Sequence, residues 1–308
     1  MNASGPCNIQ LSGGEPTLRE DLFEIIKMGH EIGFKFIQLN TNGLKLKDLD
    51  FVKGLKDAGL DSVFLQFDGL DNSIYRSLRG KDILEDKFQA IENLKKLGIG
   101  TILVCTVVPG VNDHSLYEIV RFGTDNIPTI RGVHFQPVSY FGRIPNIPKD
   151  EDRISLPEVM GKLVEQSNGI MNLRDFRPPG CENAYCSFHA NYINLDGNLV
   201  YLGTSGKKPS KKIEDGEKGS MKAKSFVERN WAIRQQKLNE DKYSSFTELL
   251  EKIETNRFSI SAMGFQDVWN LDMDRLKDCC IHVISKDGNL IPFCAYNLTN
   301  KDGRSLYR

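Results

Sequence analysis

The chain has 308 residues, 40% hydrophobic and 26% charged, with 40 basic against 41 acidic side chains and a formal net charge of −1. That length buries one large core, or one core and an appendix, and the charge balance gives no general attraction to nucleic acid or to an anionic membrane. No apolar run approaches the ~18 residues of a membrane span and no signal-peptide pattern opens the chain, so a cytoplasmic protein is expected.

The first half alternates apolar strand-like runs with amphipathic helical patterns. The strand-like runs are Asn8 to Leu11, Phe34 to Leu39, Ser62 to Phe67, Thr101 to Val108 and Gly132 to Pro137. Several are nearly continuous in apolar character, as burial on both faces of a parallel sheet demands. Helical periodicity covers Leu18 to Ile32, Leu46 to Ala58, Asp82 to Leu97 and His114 to Phe122, with Gly33, Gly59 and Gly98 where C-caps belong. This βαβα rhythm implies a parallel sheet with right-handed crossovers. Periodicity alone leaves a partial barrel and a doubly wound open sheet both open.

The pattern changes after residue 145. Pro145, Pro148 and Pro157 punctuate a turn-rich stretch, and a helix is expected over 156–166. Tyr192 to Leu195 and Leu199 to Leu202 flank Asp196-Gly197, a hairpin signal. Residues 207–224 hold seven lysines, three acids and no aromatic. They read as a solvated loop, because nothing there can stack on bases. Helices over 225–238, 247–255 and 271–277 and a second hairpin around Asp287-Gly288 complete the reading. It divides the chain into 1–145 and 146–308.

Seven cysteines in a chain without a secretion signal point to metal or redox chemistry rather than a disulfide framework. Cys7 and Cys105 lie in apolar runs and read as small core residues. The other five are Cys181, Cys186, Cys279, Cys280 and Cys294. Cys-x₂-His precedes Asp-Gly-Asn-Leu twice, at Cys186/His189 and at Cys279/His282, which suggests two related hairpins. Thiolates hold iron–sulfur clusters, usually four per cubane, so five suffice for one cluster. A zinc site and unligated thiols are the alternatives. Adjacent Cys279 and Cys280 cannot easily both face one metal, and His189 and His282 read as packing residues.

In folds of this kind chemistry gathers over the C-terminal ends of the strands. Those ends carry Gly13-Gly14-Glu15-Pro16, Asn40-Thr41-Asn42-Gly43, Gln66-Phe67-Asp68-Gly69, Pro109-Gly110-Val111-Asn112 and Gln136-Pro137-Val138-Ser139. Singly each is a loop start; together they suit a polar cofactor. Paired glycines let a backbone pass close to a ligand, and Pro16 sets the entry to a helix. A phosphate-binding turn at a helix N-terminus is the other reading of the first segment.

The run Gln10 to Thr17 resembles the Gly-Gly-Glu-Pro motif of the radical S-adenosylmethionine (SAM) enzymes, which grips the amino group of SAM. The resemblance implies an α/β fold: a partial (β/α)6 TIM-like barrel lacking its first strand, with a C-terminal cysteine-containing α+β extension. That family's first strand precedes a Cys-x₃-Cys-x₂-Cys loop holding the 4Fe–4S cluster that cleaves SAM. No such spacing occurs here, and six residues precede Cys7. The expectation is therefore a fragment without its cluster loop, inactive on its own, and no catalytic side chain is assigned.

By the same resemblance, Gly13, Gly14, Glu15 and Pro16 would hold the SAM amine. Asn40, Asn42, Gln66 and Asp68 would reach its ribose and carboxylate, and Val108 and Asn112 would frame its adenine. SAM cleavage would give methionine and a 5′-deoxyadenosyl radical, with electrons from a ferredoxin or flavodoxin and a small-molecule, lipid or peptide substrate. Cys181, Cys186, Cys279, Cys280 and Cys294 resemble the ligands of an auxiliary 4Fe–4S cluster. The ending Cys279 to Thr299 is similar to the tetraether-lipid synthase and pterin-methylase branch, and Cys181 to His189 to a group associated with trans-sulfuration. A non-catalytic SAM-binding module and a zinc-stabilised α/β protein are the competing readings.

Overall fold

The computed structural model describes residues 7–144, 146–203, 216–233 and 253–307. The parallel strands β1 (Ile9–Leu11), β2 (Ile37–Thr41), β3 (Ser62–Gln66), β4 (Gly100–Val107) and β5 (Ile130–Pro137) lie side by side in chain order. Between them run α1 (Leu22–Glu31), α2 (Leu49–Asp57), α3 (Asn72–Arg79), α4 (Leu84–Lys96) and α5 (Leu116–Asp125). The sequence reading located each strand but not α3. Asp48 and Asp71 cap α2 and α3 by accepting backbone N–H groups, the usual service of an Asp at that position.

Beyond β5 the sheet continues where an extension was expected. The helix α6 (Leu156–Gln166) opens on a capping box, with Ser155 and Glu158 bonded reciprocally. The hairpin β6 (Ser187–Leu195) and β7 (Asn198–Tyr201) turns at Asp196-Gly197, both at positive φ. The strand β8 (Arg257–Met263) pairs parallel to β5 and antiparallel to β6. The order is thus β1-β2-β3-β4-β5-β8-β6-β7, and the sheet is α/β, mostly parallel and unclosed. A boundary at 145/146 does not coincide with any break in it, because the sixth parallel strand comes from beyond the 146–256 segment.

The helix α7 (Gly216–Asn230) begins nine residues before the expected 225. Of the 207–224 stretch expected as a loop, 207–215 lie outside the described residues and 216–224 are helical instead; most of the expected 247–255 helix also lies outside them. The C-terminal part holds α8 (Met273–Lys277), the expected hairpin β9 (His282–Ile284) and β10 (Leu290–Pro292), and α9 (Phe293–Asn297).

The main core lies between the sheet and its covering helices, among Ile26, Leu39, Val63, Leu103, Val120 and Phe135. A separate small cluster of Phe64, Ile102 and Val104 lies on the opposite, inner face, with Trp231 packed against it. Trp231 reaches that face because α7 is tied to it, Asn8 donating to the Lys224 carbonyl at 3.3 Å and Arg131 to the Asn230 carbonyl at 2.9 Å. Gly132, in β5, has no room for a side chain: a Cβ would lie 2.2 Å from the Ser259 carbonyl of β8. Gly132→Ala should therefore cost about 1–3 kcal/mol through forced separation of β5 and β8, read as a lower urea midpoint. An unchanged midpoint would contradict the close strand approach.

Candidate active site

The Gly13-Gly14 turn follows β1 with φ of 97° and 54°, a region that favours glycine. A Cβ on either residue would meet nothing within 4 Å, so both face open space above the strand tips. No protein donor among the described residues takes either carbonyl. Glu15 turns the other way. Its Oε1 accepts from the Thr17 amide (3.1 Å), the Thr17 hydroxyl (2.7 Å) and the Thr41 hydroxyl (2.6 Å). Its Oε2 accepts from the Asn42 amide at 2.7 Å. The carboxylate therefore clamps the glycine turn onto the tip of β2.

From Asn42 the bonding continues across the rim. The Asn42 carbonyl accepts from Lys87, whose ammonium also lies 3.5 Å from Gln66 Oε1. Gln66 Nε2 donates to Asp68 Oδ2 at 2.6 Å. Asp68, with a fully buried side chain, also takes Arg79 Nε at 2.9 Å, Arg79 Nη2 at 3.1 Å and the Thr106 amide at 3.1 Å. The Asp68 carbonyl accepts from Asn112 Nδ2 at 2.9 Å, and Asn112 Oδ1 accepts from the Val108 amide at 2.8 Å. Burial pushes the Lys87 ammonium down to about 8, against the pull of Asp68.

Among the sequence candidates, Gly13, Gly14, Asn40 and Asn42 are open or half-open at the rim. Glu15, Gln66, Asp68 and Asn112 have their polar side-chain atoms engaged by protein partners. Pro16 is buried at the start of a short 3₁₀ turn, and Val108 is half-buried. Asn40 Nδ2 reaches Ser12 Oγ at 3.3 Å. Sequence reasoning missed Arg79 and Lys87, both on helices rather than strand ends. The guanidinium of Arg79 is 34% exposed, and its Nη1 is left over once Asp68 and Thr106 are bonded.

Among the described residues one cluster of thiols and carboxylates is close enough to share an ion, and it takes in two of the five late cysteines. The Cys181 thiol, the Glu182 carboxylate and the Cys280 thiol lie within 4.8 Å of one another. The Cys279 thiol donates to the Ile281 carbonyl at 3.0 Å. Cys186 Sγ accepts from Arg275 Nε at 3.4 Å, and Cys294 Sγ from the Gln266 amide at 3.3 Å. The hydrogen bond with Cys280 raises the Cys181 thiol and lowers that of Cys280, while burial pushes Cys294 up to about 11.

Residues 5–123 match the model of the radical SAM superfamily. A 7,8-dihydro-6-hydroxymethylpterin dimethyltransferase of Methanocaldococcus jannaschii is 33% identical over 95% of this chain and 67% of its own length. The chain belongs to the radical SAM superfamily. Probable GTP 3′,8-cyclases of Sulfolobus acidocaldarius and Methanothermobacter marburgensis are 37% and 40% identical, over 42% and 38% of this chain and 41% and 38% of theirs. A solved structure, native anSMEcpe with bound AdoMet and the Kp18Cys peptide, covers 54% of this chain and 46% of its own at 21% identity and a TM-score of 0.41.

Enzymes of this radical SAM superfamily use SAM and a 4Fe–4S cluster. Among the described residues no helix is long and apolar enough to cross a membrane. Below the rim, the inner face of this radical SAM chain holds His134, whose Nδ1 lies 2.9 Å from Ser261 Oγ and whose ring packs 5.3 Å from that of Phe64. Burial lowers His134 from 6.5 to about 4, so it is neutral near pH 7. As pH falls, the unfolded chain takes up the proton first, so stability is full above 6.5 and declines towards 4. The loss should be of order 3 kcal/mol, read from urea midpoints across that range. His134→Asn should flatten the decline; equal acid sensitivity in both proteins would refute it.

Proposed function

We propose that this chain provides the SAM-binding rim and an auxiliary iron–sulfur site of a radical SAM enzyme acting on a nitrogen heterocycle. The observation that carries the reading is the open Gly13-Gly14 turn, held by Glu15 against the tip of β2 and continuous with a bonded rim across four strands. SAM fits this donor set. Its ammonium needs acceptors, and the unengaged carbonyls of Gly13 and Gly14 are acceptors. Its carboxylate needs a cation, and Arg79 offers Nη1. Its ribose hydroxyls suit the Asn40 amide and the Ser12 hydroxyl.

SAM held there would supply, together with a 4Fe–4S cluster for which this sequence carries no Cys-x₃-Cys-x₂-Cys set, one-electron carbon–sulfur cleavage and hydrogen abstraction, with the electron from a ferredoxin or flavodoxin. The protein's own part is placement. Glu15 keeps the glycine turn in register with β2, so its role is to brace the turn rather than touch the ligand. Asp68 holds Arg79 and the Thr106 amide, and Asn112 closes the loop after β4. Lys87 fixes both the Asn42 carbonyl and the Gln66 amide. The names of the similar proteins, a pterin dimethyltransferase and GTP cyclases, support a pterin- or purine-like substrate.

The thiols of Cys186, Cys279 and Cys294 suit an auxiliary cluster, because two of them already accept N–H hydrogen bonds of the kind thiolates receive. Cys181 and Cys280 engage each other and Glu182 instead, which answers the difficulty of two adjacent cysteines on one metal.

Two measurements test the reading. Glu15→Ala should weaken SAM binding by about tenfold, the worth of a charge-assisted hydrogen bond, in isothermal titration. Unchanged affinity would remove Glu15 from the site. Anaerobic reconstitution should give a brown protein with about four irons per auxiliary site. Cys186→Ala and Cys294→Ala should lose that iron, whereas Cys181→Ala should retain it. Zinc without labile sulfide would replace the cluster with a structural metal.

A further inference from the structure

The inner wall between the Trp231 plug and the rim carries no charged side chain on any described strand. Pairing register aligns Gln66, Val104, His134, Ser261 and His189 in one row across β3, β4, β5, β8 and β6. One step nearer the rim, Thr106 stands beside Gln136. The row below is built from Asn40, Phe64, Ile102, Gly132, Ser259 and Asn191. The inward cations Arg131 and Arg257 stand at the opposite end of the sheet, bonded to Asn230 of α7 at 2.9 and 3.4 Å.

Three groups on this wall have hydrogen-bonding capacity to spare. The Gln136 amide and the His189 ring, both half-buried, have no partner among the described residues. Ser261 Oγ is bonded on one side to His134 Nδ1; whichever group donates, a hydroxyl keeps a further donor or acceptor function. Burial lowers both histidines from their ordinary value, His134 to about 4, and at His189 Glu182 works against burial while Arg177 works with it. The Phe64 and His134 rings, 5.3 Å apart and tilted by 41°, close the bottom of the wall above Trp231.

We infer that Gln136, Ser261 and His189 recognise an uncharged planar heterocycle with adjacent donor and acceptor atoms, a lactam-type ring edge, in preference to a phosphorylated nucleotide. The inference rests on the radical SAM reading above and chooses within its substrate class. Neutral partially buried donors and acceptors pair well with a neutral amide edge. A triphosphate set against the same wall would lose water and find no cation on the described strands there, the nearest free guanidinium nitrogen, Arg79 Nη1 at the rim, being the one assigned above to the SAM carboxylate.

The test titrates 6-hydroxymethyl-7,8-dihydropterin and GTP into the protein with SAM present; GTP carries a lactam edge too, so the comparison isolates the phosphates. The dihydropterin should bind and GTP should bind at least tenfold more weakly. Gln136→Ala and His189→Ala should each weaken dihydropterin binding about tenfold, one neutral hydrogen bond, with SAM affinity and thermal midpoint unchanged. GTP binding as tightly as the dihydropterin, or neither variant weakening it, overturns the inference. Absent SAM binding with dihydropterin binding and its variant losses intact would overturn only the cofactor reading.

Discussion

The carboxylate of Glu15 is the constraint on which the rim depends. Two strands that run parallel and end at the same height have no reason of their own to keep their loops together. A single side chain with two oxygens, accepting from Thr17, Thr41 and Asn42, joins them. Because the Asn42 amide is so held, its carbonyl is presented to Lys87, and Lys87 reaches Gln66. Gln66 bonds Asp68, Asp68 fixes Arg79 and Thr106, and Asn112 ties Asp68 to Val108. Four loops thus share one continuous network, and in such networks each bond polarises the next. The position of the glycine turn depends on all of it.

The charges in this network balance locally. Glu15 and Asp68 face Lys87 and Arg79, and most of them are removed from water. Lys87 illustrates the cost: burial lowers it to about 8 even though Asp68, Glu15 and Asp86 pull the other way. What remains open at the surface is mainly backbone carbonyl, side-chain amide, hydroxyl and one guanidinium edge. A zwitterion such as SAM meets dipoles and a single cation there, not a field of bare charge.

The first five strands were legible because each apolar run alternates with a helical pattern, and several of the runs are nearly continuous, as two-sided burial requires. The glycine turn was legible as well, since Gly13 and Gly14 adopt backbone angles that other residues avoid. The rest was hidden for physical reasons. The strand β8 carries Ser259, Ser261 and Met263 on its inner side and enters the sheet beside β5 from more than a hundred residues away, a pairing no local pattern encodes. Arg79 sits on the helix the sequence reading did not find, and Lys87 stands on the apolar face of α4 between Ile83 and Ile91, where it is fully buried. Asp68 and Asn112 have the residue types of ligand contacts, but folding commits their polar atoms to the loops themselves.

The same distinction separates rim from wall. Residues that must stay put are charged and mutually bonded, as Asp68 and Arg79 are. Residues left with free hydrogen-bonding atoms, Gln136 and His189, are neutral. This division follows from desolvation. An unpaired neutral amide or imidazole waiting in a half-buried position costs about 1–3 kcal/mol, whereas an unpaired charge there would neutralise or draw in water. At the rim Arg79 keeps one free guanidinium nitrogen because it stands 34% exposed and its other nitrogens are bonded to Asp68 and Thr106. The His134–Ser261 bond then matters beyond its own energy, because it orients the hydroxyl between the two histidines without adding charge.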